Sequence, residues 1–161
     1  MAAVAAAAVI LPVQAEVQDG TSSLINTLDA NGVLITINHA DCATNGAHGQ
    51  YRWAGMKREM RLCPGNTIDA NDHRTVRHEV IHAIQHCVNA ARGTSYDTPV
   101  VTDRDTLKAM VRDNLDQETI EFIFNNYDES QWLTELEAFA GAEAYTASEL
   151  EQLFLQACVA S

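Results

Sequence analysis

The chain has little positive charge. Its 161 residues include 10 Lys and Arg against 22 Asp and Glu, so the formal net charge is −12 at pH 7. Proteins that bind nucleic acids need basic residues to neutralise phosphates, and the composition therefore argues strongly against a nucleic-acid partner. The same deficit disfavours docking on an anionic membrane surface.

Long hydrophobic runs are also missing. The most apolar stretch, MAAVAAAAVILPVQA at residues 1–15, has only eleven residues before Pro12, whereas a membrane span needs roughly 20. We therefore expect no stable membrane insertion. The small residues that end this stretch suit a signal-peptidase site, although no Lys or Arg occurs before Arg52. Residues 1–15 are predicted to be a signal peptide without the usual basic start, and the protein to be secreted or periplasmic.

No repeat, low-complexity tract or linker divides residues 16–161, which predicts a single domain. Strand-like patterns come first, at 32–38, 49–53 and 59–63, and the last two are predicted to form a hairpin. Helical patterns follow at 72–91, 103–114, 117–126, 131–145 and 148–157, the last opening with a capping box of Ser148 and Glu151. This order predicts an α+β fold with a small N-terminal antiparallel sheet and a helical C-terminal part.

The four cysteines form an even set in a small chain with an export-like start, which favours disulfides. Cys42 and Cys63 bracket the predicted hairpin, Cys87 lies in the long helix and Cys158 is close to the C-terminus. We expect 42–63 and 87–158 pairings, since the second would tie the C-terminal helix to the central one. Four free thiols and a four-thiolate zinc site are the alternatives, but no two cysteines have the C-x2-C spacing of such sites.

The segment HEVIH, residues 78–82, carries the chemistry. On a helix, His78 and His82 lie one turn apart on the same face and can bind one Zn²⁺. Glu79 lies beside them and can act as general base for a metal-activated water. Because both imidazoles must be neutral to bind metal, activity is expected to fall below about pH 6.

A catalytic zinc needs a third protein ligand. His86 is eight residues beyond His78, about 12 Å along the helix axis, which is too far for the same ion. The better candidates are Glu135 and Glu137 in the predicted helix 131–145. Two residues apart on a helix, their side chains point about 200° apart, so only one of them can be a ligand.

These residues resemble the gluzincin metallopeptidases, in which a distant Glu on its own helix completes an H-E-x-x-H site. HEVIHAIQHC is similar to the H-E-L-I-H-A-x-x-H-C stretch of mitochondrial inner-membrane processing peptidases, and TELEAFA resembles the E-x-x-A segment of those enzymes and of ImmA-like peptidases. The resemblance implies a zincin-like fold. It selects Glu135, because Ala138 follows three positions later, although Phe139 stands where the ImmA-like group has Asn.

Two further expectations come from zincin families. Residues 92–97, RGTSYD, faintly resemble the G-T-x-D segment of aspzincins, which makes Asp97 a rival third ligand. In zincins the strand before the metal helix runs along the cleft, so the resemblance implies that residues 59–63 could pair with an extended peptide. Tyr127, Tyr145, His73 and His86 are candidate donors to a reaction oxyanion.

The sequence thus predicts a zinc-dependent endopeptidase that acts on a peptide or protein substrate. His78, His82 and Glu135 are the predicted Zn²⁺ ligands, and Glu79 is the predicted catalytic residue. The alternative is a non-catalytic, zinc-stabilised interaction domain that retains the motif.

Overall fold

The computed structural model describes residues 20–40, 42–45, 48–55, 57–64 and 70–160. The predicted signal peptide, residues 1–15, lies outside the described residues. In chain order the elements are α1 (Thr21–Ala30), β1 (Val33–Ile37), α2 (Cys42–Asn45), β2 (Gly49–Ala54), β3 (Lys57–Leu62), α3 (Ala70–Arg92), α4 (Arg104–Asn114), α5 (Gln117–Asn126), α6 (Trp132–Ala144) and α7 (Ala147–Cys158). The predicted α+β class with a helical C-terminal part is confirmed.

The sheet is mixed. Strands β2 and β3 form the expected antiparallel hairpin, with Tyr51 opposite Met60. Strand β1 pairs with the other side of β3 in parallel, with Ile35 opposite Met60, so the strand order is β1-β3-β2. The expectation of an antiparallel sheet therefore holds for the hairpin alone. As the central strand, β3 has both edges paired, whereas β1 and β2 are the edge strands.

Helix α3 runs through the middle of the molecule and packs against α6, α7 and β2. Its apolar positions Val76, Val80, Ala83 and Ile84 are buried, as the helical pattern predicts. Small residues on α6 permit its close approach: a Cβ added at Gly141 would lie 2.5 Å from Cδ1 of Ile81. This contact fixes the distance between the two helices that carry the candidate site.

Helix α7 begins slightly earlier than predicted. Its capping box is formed by Thr146 and Glu149, not by Ser148 and Glu151. Both pairs have the required spacing, and burial decides between them, because Ala147 is buried as the first helical residue.

Both expected disulfides are present. Cys42 is bonded to Cys63, and Cys87 to Cys158, with S–S distances of 2.04 and 2.07 Å. The second bond holds the end of α7 against the face of α3 opposite the candidate site. No helix in the described ranges combines the length and the apolar character needed to cross a bilayer.

Candidate metal centre

Three side chains from two helices converge in the cleft between α3 and α6. Nε2 of His78 and Nε2 of His82 are 3.0 Å apart. The two carboxylate oxygens of Glu135, in the first turn of α6, lie 3.4 Å from His78 Nε2 and 3.5 Å from His82 Nε2. The structure therefore brings together the three residues that the sequence analysis proposed as ligands.

These separations fit a single metal ion. Two ligand atoms held roughly 2 Å from a tetrahedral ion are roughly 3.3 Å apart, and the triad spans 3.0 to 3.5 Å. Oε2 of Glu135 is buried and has no hydrogen-bond partner among the described residues. A buried carboxylate oxygen without a partner is costly unless a cation satisfies it. The group could thus hold a metal ion.

Opposite charge stabilises the triad when no metal is bound. Burial alone would lower the pKa of His82, but the adjacent Glu135 carboxylate raises it to about 9. Burial likewise opposes ionisation of Glu135, yet the two histidines lower its pKa to about 2. At neutral pH a proton therefore occupies the place that a cation would take.

Glu79 lies beside the triad and is 5% exposed. Its Oε2 accepts a hydrogen bond of 2.5 Å from the backbone N–H of Tyr51 on β2. Burial raises the pKa of Glu79, although His78 and His82 act against this shift. A carboxylate with a raised pKa and a fixed orientation is better suited than an ordinary one to accept and return a proton.

Glu137, the rival to Glu135, serves another purpose. Its Oε1 accepts the N–H of Val101, and its Oε2 accepts the N–H of Val100 and the side-chain amide of Gln85. The carboxylate is therefore directed away from the histidines, as the 200° separation from Glu135 requires. The loop before α4 is held to α6 by these bonds.

Asp97 and His86 also lie outside the triad. Asp97 is exposed, and the metal-capable group found among the described residues consists of His78, His82 and Glu135 only. Nδ1 of His86 is hydrogen-bonded to the Tyr51 hydroxyl at 2.9 Å, and the His86 ring stacks on Trp53. His86 therefore lies too far from His78 along α3 to bind the same ion, as helix geometry predicts.

Two cavities of about 280 and 340 Å³ meet at the triad and share Gly49, His78, Glu79 and Tyr127. The larger is bounded by Phe122 and Phe139. The smaller extends along β2 to the exposed rings of Trp53 and Tyr96. Together they form a path past His78 and Glu79.

The strand along this path is β2. The expectation that residues 59–63 pair with an extended peptide is therefore wrong. Strand β3 is paired on both sides by β1 and β2, so its backbone cannot bind a peptide. Gly49 lies at the start of β2, directly over Glu79. A Cβ on it would lie 3.0 Å from Oε1 of Glu79 and would overlap the methyl group of Thr75. Only glycine allows the strand to approach so closely.

Of the four candidate donors to an oxyanion, Tyr127 and His86 line these cavities. Tyr145 lies at a different cavity, and His73 lines neither of the two at the triad. Burial raises the pKa of Tyr127, so its phenol stays protonated and able to donate.

The sequence analysis did not identify Gln85, which is 2% exposed and contacts the site directly. Its Oε1 lies 2.7 Å from Nδ1 of His82. A signal was present in the sequence, because residues three apart on a helix share a face.

No family model, curated protein or solved structure matches this chain. Its function is therefore inferred from the residues of the site.

Proposed function

We propose that the chain is a zinc-dependent endopeptidase of the gluzincin type. The observation that carries this proposal is the convergence of two imidazoles and one carboxylate within 3.0 to 3.5 Å, beside a buried glutamate. A purely structural role would not require Glu79 to be buried and to line the same cavity as the triad.

The donor set supports zinc. Two imidazole nitrogens and one carboxylate oxygen are a common ligand set of catalytic Zn²⁺, which keeps its fourth position open. His78, His82 and Glu135 would hold the ion. When bound, it would polarise a substrate carbonyl and increase the acidity of water.

Glu79 would move the proton. Its Oε2 is held by the Tyr51 N–H, which leaves Oε1 to accept a proton from the attacking water. The water oxygen forms the new bond to the carbonyl carbon. The proton held on Glu79 then passes to the amine nitrogen as the C–N bond breaks, so that one peptide bond and one water give a carboxylic acid and an amine.

Tyr127 would donate a hydrogen bond to the oxyanion that develops on the carbonyl oxygen. It lines both cavities beside Glu79 and keeps its proton because burial raises its pKa. A donor positioned before the reaction stabilises the transition state more than the ground state.

The substrate would lie along the free edge of β2. Alternate residues of an edge strand direct their backbone groups away from the partner strand. The N–H of Tyr51 points to Glu79 and thus marks the outer side of β2. Gly49 and Trp53 have the same parity and would offer main-chain hydrogen bonds to an extended peptide. The two disulfides fit a secreted or periplasmic enzyme.

The test compares the wild-type protein with Glu79→Gln in zinc content and in cleavage of a mixed peptide library, each with and without a chelator. We expect about one zinc per chain in both proteins. Cleavage by the wild type should be chelator-sensitive, and Glu79→Gln should lower its rate by about 10²–10⁴-fold. Glu129→Gln, at an exposed carboxylate, is the matched control and should cleave like the wild type.

Two results would contradict the proposal. If the wild type binds zinc but cleaves no peptide, the non-catalytic interaction domain becomes the better description. If the zinc content is unchanged by replacing His78 and His82 with Ala, the triad is not the metal site.

A further inference from the structure

Another cavity, of about 750 Å³, lies on the other side of α6 from the metal centre. It is lined by α4, α5, the start of α6 and the loop before α4. Its size falls in the range of small-molecule pockets, roughly 300 to 1,000 Å³. None of its lining residues contributes to the metal centre or to the proposed catalysis. We call it the α4–α6 cavity.

The walls of the α4–α6 cavity are mainly aliphatic. Leu107 and Leu136 are buried at its base, and Leu133 remains 46% exposed at its edge. Val111 and Ile120 complete the apolar lining from α4 and α5. A wall of this kind accepts a hydrocarbon chain.

The charged residues that line the cavity all have one sign. They are Arg104, Lys108 and Arg112, spaced four residues apart and therefore on one face of α4. The chain as a whole has 10 basic residues against 22 acidic ones. Three basic residues on one rim are therefore a local concentration of positive charge in an acidic protein. This arrangement is complementary to an anionic head group above an apolar tail.

Two of these cations have acidic neighbours. Lys108 lies 3.7 Å from Asp105, and Arg112 lies 2.8 Å from Asp113. All four side chains are more than half exposed, and exposed pairs of this kind contribute little. A ligand carboxylate can therefore compete for both cations.

We propose that the α4–α6 cavity binds an anionic amphiphile with a single long alkyl chain, such as a fatty acid. The tail lies among the aliphatic side chains of α4, α5 and α6, and the carboxylate lies at Arg104, Lys108 and Arg112.

The test uses isothermal titration of the whole protein with octanoate, decanoate and dodecanoate below their micelle concentrations. We expect one site per chain, with the affinity increasing about fourfold for each added methylene. Dodecan-1-ol should bind at least several-fold more weakly than dodecanoate, and dodecyltrimethylammonium more weakly still. Titrations with a chelator and with added zinc should agree, because the metal centre is not involved.

Two variants locate the ligand. Lys108→Gln should lower dodecanoate affinity about threefold and leave dodecan-1-ol binding unchanged, whereas the matched control Lys57→Gln, on exposed β3 surface, should change neither. Val111→Trp should fill the cavity and lower the affinity for every alkyl probe, with circular dichroism and thermal unfolding recorded to confirm folding. If it does not fold, Lys108→Gln still decides.

Several results would overturn the proposal. They are equal affinity for all three head groups, equal effects of Lys108→Gln and Lys57→Gln, binding that depends on zinc, or no saturable binding. Sedimentation that shows self-association through this face would identify a second copy of the chain as the occupant instead.

Discussion

Nδ1 of His82 and Oε1 of Gln85 lie 2.7 Å apart, one turn of α3 from each other. The amide nitrogen of Gln85 donates to the carbonyl of Thr134 and to Glu137. These two acceptors fix the amide orientation, so Oε1 must face His82 and accept a hydrogen bond from it. When His82 is neutral, as a metal ligand must be, it therefore carries its one proton on Nδ1, and its Nε2 lone pair is directed into the triad.

Replacing Gln85 should weaken metal binding without changing the three ligands. In Gln85→Leu, Nδ1 of His82 loses its acceptor, the ring orientation is no longer fixed, and zinc affinity should fall by about 10–100-fold. The measurement is competition against a chelator of known affinity. Gln152→Leu, at an exposed position of α7, is the control and should keep wild-type affinity. Equal affinity of the two variants would show that Gln85 does not position His82.

The metal-free protein should lose stability as the pH rises from about 6 to 9. The folded pKa of His82 is raised to about 9 from about 6.5 when unfolded, so its contribution is complete below pH 6.5 and is lost as the pH rises to 9. Glu79, whose pKa is also raised, acts in the same direction. Glu135, with a pKa lowered to about 2, loses its contribution only in strong acid.

The expected decrease in the free energy of unfolding is about 1–3 kcal/mol, measured by urea titration with a chelator present. Zinc should reverse the trend, because metal and proton compete for His82. The difference in Tm between the loaded and metal-free protein should thus widen from pH 6 to pH 9. A Tm difference that stays constant with pH would show that the His82–Glu135 ion pair does not cause the loss of stability. The raised pKa also moves the onset of zinc loss above the pH 6 expected from an ordinary histidine.

The Cys87–Cys158 bond should contribute more stability than the Cys42–Cys63 bond. The bonds span 71 and 21 residues, and loop entropy gives about 4 and about 3 kcal/mol, respectively. The paired Ser replacements, each compared with the wild type by urea unfolding, measure both contributions. A larger loss from the shorter loop would show that strain or residual structure outweighs loop entropy.

Gly141→Ala should destabilise the protein by about 1–3 kcal/mol. The added Cβ would lie 2.5 Å from Cδ1 of Ile81, and this overlap outweighs the higher helix propensity of Ala.

Ile81→Val removes that Cδ1, so Gly141→Ala in this background should be neutral or stabilising. A double-mutant cycle by thermal unfolding measures the coupling. Additive effects would show that the cost of Gly141→Ala does not come from overlap with Cδ1 of Ile81.

Helix bounds could be predicted where local signals agree. The predicted helix at residues 117–126 has the bounds of α5, and Asp116 caps it by accepting a hydrogen bond from the Thr119 N–H. The pairing of β1 with β3 could not be predicted in this way. Alternating side chains indicate that a segment is a strand, but they carry no information on its neighbour or on its direction.

The site shows the same division. The spacing of His78, Glu79 and His82 places the three side chains next to one another on α3. The choice between Glu135 and Glu137 depends on which side of α6 faces α3, and that follows from packing around Gly141. Helix geometry could show only that the two carboxylates point apart, and the resemblance to E-x-x-A segments was needed to favour Glu135.

The two disulfides follow one another along the chain and divide it into two covalent rings, 42–63 and 87–158. The connecting stretch contains His78, Glu79 and His82, while Gly49 belongs to the first ring and Glu135 to the second. A nick inside either ring leaves the molecule in one covalent piece. A nick between Cys63 and Cys87 divides it in two, with the hydrogen bond from Tyr51 to Glu79 now joining separate fragments when the cut falls before His78. The position of a single backbone cut therefore decides whether the protein stays in one covalent piece.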